Sequence, residues 1–76
     1  MPRPIVLEVE HALFELTEAA GALVLAVETQ GQALAVVRYR LDAAEAARYR
    51  SEGRGFILNL AEDIAWSPNN YRDRLE

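Results

Sequence analysis

Residues 22–41, ALVLAVETQGQALAVVRYRL, decide the fold. Two runs rich in Val and Leu, Ala22 to Glu28 and Ala33 to Leu41, flank Thr29-Gln30-Gly31-Gln32, where Gly31 accepts the positive φ of a tight turn. The segment reads as a β-hairpin. With Gln30-Gly31 as its loop, Val27 faces Leu34, Leu25 faces Val36 and Leu23 faces Arg38. If Ala19-Ala20 closes a preceding hairpin, Leu16 faces Leu23 and Phe14 faces Leu25, and a bulge at Gly21 would shift that pairing by one. Both registers gather Phe14, Leu16, Leu23, Leu25, Val27, Leu34 and Val36 on one face. The other face then carries Ala22, Val24, Ala26, Ala33, Ala35, Val37, Tyr39 and Leu41, with Glu15 and Glu28 at its margin.

Upstream, Ile5 to Glu10 alternates, with Ile5, Leu7 and Val9 on one side and Glu8 and Glu10 on the other, the pattern of a half-buried strand. Phe14 and Leu16 have the opposite parity, so a bulge or break near Glu10-His11-Ala12 is expected. The same stretch also fits a helix from Val9 to Ala20 ended by Gly21, and strand is the preferred of the two. Downstream, Asp42-Ala43-Ala44-Glu45 has the spacing of a capping box and starts a helix from about Ala43 to Ser51. Ile57, Leu60, Ala61 and Ile64 share a helical face within Phe56 to Trp66, with Phe56 and Trp66 as expected core anchors. Ser67-Pro68 then opens a short last helix carrying Tyr71 and Leu75. The fold expected is α+β: a three- or four-stranded antiparallel meander followed by two helices packed on one sheet face.

The chain has 76 residues, 51% of them hydrophobic and 26% charged, which describes a single small soluble domain over residues 1–76. With no Cys there is no disulfide, thiolate nucleophile or Cys-based metal site, and a reducing cytoplasm is the expected compartment. The longest apolar run, Ala22 to Val27, is far short of a membrane span, so no membrane partner is expected. All eight basic residues are Arg, as the codon bias of a GC-rich bacterial genome produces. The net charge of −4 repels nucleic acid at long range, although five of those arginines cluster between residues 38 and 54.

Three groupings invite a chemical reading. His11 stands near Glu8, Glu10 and Glu15, but on a strand those carboxylates diverge from it, so no metal site is assigned. Ser51 or Ser67 with His11 and Asp42, Asp63 or Asp73 supplies the residue types of a hydrolase triad without a nucleophile elbow, and no catalytic residue is assigned. Gly53-Arg54-Gly55 lacks the length and lysine of a phosphate loop and reads as a helix-helix corner. No cofactor is implied, and a third reading places a small-ligand or enzyme site between sheet and helices near Arg54 and Trp66.

Function therefore rests on surfaces. Two helices of about ten residues cover one face of a three-stranded sheet and not both, which leaves the small apolar face with Val24, Ala26, Ala35, Val37 and Tyr39 as an interface. The expectation is a non-catalytic adaptor, inhibitor or immunity-type module that binds a protein partner or a second copy of itself. The alternative is that the N-terminal strand or last helix folds across this face. A different class of reading uses Arg38, Arg40, Arg48, Arg50 and Arg54, interleaved with Tyr39 and Tyr49, to bind nucleic acid.

Overall fold

The computed structural model describes residues 3–29 and 36–75. Four antiparallel strands, β1 (Ile5–Glu10), β2 (Phe14–Ala19), β3 (Ala22–Glu28) and β4 (Val36–Arg40), lie in the order β1-β2-β3-β4. Two helices follow, α1 (Ala43–Glu52) and α2 (Arg54–Trp66), and then a 3-10 helix, Pro68–Arg74. This is the α+β meander expected from the sequence, with the fourth strand present and a strand, Phe14–Ala19, in place of the competing helix over Val9 to Ala20.

Local chemistry explains the joints. Ala20 and Gly21 have φ of 53° and 81°, the two positive values of a two-residue hairpin turn whose twist suits the flanking strands. The loop is therefore Ala20-Gly21 rather than Ala19-Ala20. Phe14 faces Val27 and Leu16 faces Leu25, two residues from the expected register but with the same side chains inward. Between β1 and β2, the Leu13 amide donates to the Glu10 carbonyl at 3.0 Å, closing a turn with Ala12 at φ 63°. At α1 the Asp42 side chain accepts from the Glu45 amide and the Glu45 side chain accepts from the Asp42 amide, each at 2.8 Å, completing the capping box. Gly53, at φ 80° and ψ −153°, ends α1 by donating its N–H to the Tyr49 carbonyl and starts α2, forming the anticipated corner. Ser67 precedes the 3-10 helix, as expected, but makes no side-chain cap: its amide donates to the Asp63 carbonyl and ends α2.

The core forms between the sheet and α2. Phe14, Leu16, Leu23, Leu25, Val27, Tyr39 and Leu41 from the strand region meet Ile57, Ala61, Ile64 and Ala65 from α2. Trp66 is 70% exposed and is not a core anchor. Nine residues beyond the buried Ile57, at about 100° per residue, it has turned roughly 180° away from the sheet.

Two expectations about faces are corrected. In the β3–β4 pair, Leu25 faces Tyr39 and Val27 faces Val37, a register shifted by three from the one a Gln30-Gly31 loop would impose. An odd shift exchanges the two faces of β4. Val37, Tyr39 and Leu41 therefore turn toward the helices, while Val36, 62% exposed, turns away. The physical reason is charge: the expected register would set Arg38 opposite Leu23 on the helix-facing side, whereas the observed one leaves Arg38 and Arg40 exposed. Gln30, Gly31, Ala33, Leu34 and Ala35 lie outside the described residues. In β1, the pairing steps from Val6–Thr17 to Glu8–Leu16, so the bulge sits at Leu7 rather than at the turn. It places Glu8 and Glu10 on the helix side, where the α1–α2 corner meets them, and Val6 and Val9 on the opposite side.

The C-terminal segment stays on the helix side. Tyr71 packs edge-on against Tyr39, with ring centroids 5.4 Å apart, and Leu75 bridges to Tyr39 along the outer edge of β4. Arg74 reaches the Arg40 carbonyl at 2.8 Å and Glu45 at 3.1 Å.

Candidate functional site

Residues directly opposite one another across antiparallel strands share a face, so the side of the sheet away from the helices can be laid out in rows. One row runs Val9, Glu15, Ala26, Arg38 from β1 to β4, and the next runs Val6, Thr17, Val24, Arg40. Ala19 and Ala22 extend the surface toward the Ala20-Gly21 turn, and Glu28 and Val36 extend it the other way. Among the described residues no element lies across it: β1 continues the sheet as an edge strand, and the 3-10 helix packs against α2 and β4.

The surface is apolar at one edge, small in the middle and cationic at the other edge. Val6 and Val9 on β1 are 52% and 54% exposed, and Val24 and Ala26 are half-buried by their neighbours. Of the five interface residues read from the sequence, Val24 and Ala26 lie here and Ala35 falls outside the described residues. Val37 and Tyr39 are corrected to the core side, where Tyr39 is 2% exposed. Val6, Val9 and Val36 take their place. The parity of Val6 depends on a bulge with no sequence signature, but Val36 could have been found from Arg38-Tyr39-Arg40, whose alternation already puts the arginines and Val36 on one side.

The five arginines of the nucleic-acid reading do not share a surface. Arg38 and Arg40 belong to β4 on the open side, whereas Arg48, Arg50 and Arg54 belong to the helices and engage carboxylates. Arg48 donates through Nε to Glu52 at 2.8 Å and lies 4.7 Å over the Phe56 ring. This hydrogen bond, ahead of the attraction between the charges, raises the Arg48 pKa, and the same bond lowers that of Glu52. Arg50 lies 3.9 Å from Glu18. Arg54 reaches Glu8 and Glu10 at 3.3 Å each, with its guanidinium 5.4 Å from the Phe14 ring centre. The interleaved tyrosines are equally engaged: Tyr39 is buried with its hydroxyl on Glu45, and Tyr49 donates to Glu8 at 2.8 Å. Neither presents a stacking platform for a base.

The remaining groupings are dispersed. His11 is exposed in the β1–β2 turn beside a hollow of about 260 Å³ lined by Glu10, Phe14, Glu28 and Val36, and among the described residues no three metal-ligating side chains converge. Asp42 caps α1, and Asp63 accepts from the Tyr71 hydroxyl. Arg54 and Trp66 occupy opposite ends of α2, about 18 Å apart along its axis. No protein-family model matches the chain, and no curated protein or solved structure matches it significantly.

Proposed function

We propose that the chain is a non-catalytic interaction module that self-associates through the sheet face bearing Val6, Val9, Val24, Ala26 and Val36. The observation that carries this reading is that Val6 and Val9 on β1 and Val36 on β4 are exposed on a face that no other described element crosses. Four strands about 4.8 Å apart and about six residues long present a face of roughly 400 Å², with the exposed valines as its apolar part. A second copy is the simplest occupant, because a two-fold contact uses one patch twice. Such an association occupies the face reversibly, as an adaptor or inhibitor does, and needs no catalytic group.

Size-exclusion chromatography with light scattering over a range of concentrations tests it. The expected mass is twice the 8.5 kDa of one chain, falling to one chain in Val9→Glu and Val24→Glu while their circular dichroism is unchanged. An 8.5 kDa species at high micromolar concentration, indifferent to both substitutions, overturns it.

A further inference from the structure

We infer that the C-terminal end of α2 binds an arginine of a partner protein, its guanidinium stacked on Trp66 and paired with Glu62. The chain itself supplies the template. Arg48 lies 4.7 Å over the Phe56 ring and bonds Glu52, Arg54 lies 5.4 Å over Phe14 and bonds Glu8 and Glu10, and Arg74 lies 4.7 Å over Tyr39 and bonds Glu45. Each guanidinium is held between the face of a ring and a carboxylate. Trp66 offers a ring and Glu62 a carboxylate, both exposed, and among the described residues no arginine lies over the one or bonds the other.

Trp66 follows Glu62 by four residues and Asp63 by three, so both carboxylates are its neighbours on α2, with Cβ atoms about 5–6 Å away. Helical side chains lean toward the N-terminus, which lays the indole back over the turn that carries them. Asp63 keeps its negative charge while accepting from the Tyr71 hydroxyl. The helix end acts in the same sense, because its free carbonyl groups carry partial negative charge that a cation in the last turn offsets. α1 has Arg50 there and the 3-10 helix has Arg72 and Arg74, whereas the last turn of α2 has no basic residue. Ring, carboxylates and helix dipole thus all favour a cation that α2 does not supply.

The chemistry of the site selects an arginine. A planar guanidinium stacks on an indole while its N–H fork bonds a carboxylate, which the ammonium of lysine cannot do. An indole 70% exposed on the outside of a helix does not enclose a small free ion. The cation therefore arrives on a partner's surface, and Trp and Arg are the residues that most often anchor such contacts. Trp66 points away from the sheet, so the site stays open in a dimer formed through the sheet face and does not depend on that association.

Trp66 is the single tryptophan of the chain, so its emission reads the site directly. Titration with acetyl-tetra-arginine amide at low ionic strength is expected to change that emission saturably. Glu62→Gln is expected to weaken binding about threefold, the effect of one exposed charge pair. Glu62→Arg, which sets the chain's own guanidinium beside the ring, is expected to abolish it. Both changes fall on an exposed helix position and leave the circular dichroism unaltered. Glu52→Gln removes the same charge at the other end of α2 and is expected to bind as the wild type does, while tetra-lysine binds several-fold less tightly than tetra-arginine. No saturable change, or equal weakening by Glu62→Gln and Glu52→Gln, overturns the site, and tetra-lysine binding as tightly overturns the stacked guanidinium. An emission that shifts on concentrating the chain alone puts an arginine of a second copy on the ring and overturns the partner reading.

Discussion

Tyr39 stands directly opposite Leu25 across the β3–β4 pair. That pairing decides which side of β4 is inside, because every other residue of the strand follows by alternation. It sends the Tyr39 ring into the core with Ile57 and Ile64 and leaves Val36 on the uncovered face.

The register predicts opposite costs for two neighbouring substitutions. Tyr39→Ala is expected to destabilise by about 3–5 kcal/mol, the range for emptying a buried aromatic site. Val36→Ser, on an exposed side chain, is expected to change stability by no more than about 0.5 kcal/mol. Urea unfolding at low micromolar concentration measures both, and a reversed order would show that β4 is paired with the other parity.

Backbone conformation sets a second pair of expectations. At φ 80° and ψ −153°, Gly53 occupies a region essentially closed to other residues, yet a Cβ added there would meet nothing within 4 Å. Gly53→Ala is therefore expected to cost about 1–3 kcal/mol from backbone strain alone. In the opposite direction, Ala20→Asn creates Asn-Gly, the favoured pair for a turn with two positive φ values. It is expected to raise the melting temperature by a few degrees, as about 0.5–1 kcal/mol does in a chain of this size. A melt in which Gly53→Ala is silent would contradict the corner described here.

The three tyrosines predict a loss of stability in alkali. Burial and then the Asp63 hydrogen bond push Tyr71 up to about 12, burial and Glu45 push Tyr39 well above the usual phenol range, and burial and Glu8 raise Tyr49. In the unfolded chain all three titrate near 10. Folding therefore retains protons that the unfolded state releases, so the contribution is complete below pH 10 and is lost as pH rises toward 12 and beyond. The phenolate ultraviolet band should appear later in the native chain than in urea, and Tyr71→Phe should flatten the fall in melting temperature between pH 10 and 12. Native tyrosines titrating near 10 would contradict these contacts.

Features governed by near neighbours were legible in the residues. Asp42 and Glu45 form the capping box because three-residue spacing places each side chain against the other's amide. Ile57, Ala61 and Ile64 are buried because they lie on one side of α2. Of the residues expected at an interface, Val24 and Ala26 lie on a face that no other described element crosses. The inward side of β4 was not legible, because Val36-Val37 is apolar on both sides and alternation there does not fix the parity. Trp66, expected as a core anchor at the end of the α2 spacing, is turned outward because its position lies opposite the Ile57 face.

The sequence by itself determined the order of the elements, the Asp42–Glu45 capping box, the Gly53 corner, and the inward side of β2 and β3, because these depend on periodicity and on contacts a few residues apart. Only the tertiary structure decided which side of β4 meets the helices and where β1 slips by one residue. Both choices weigh chain-distant alternatives of nearly equal local energy. They are resolved by leaving Arg38 and Arg40 in water and by presenting Glu8 and Glu10 to Tyr49 and Arg54.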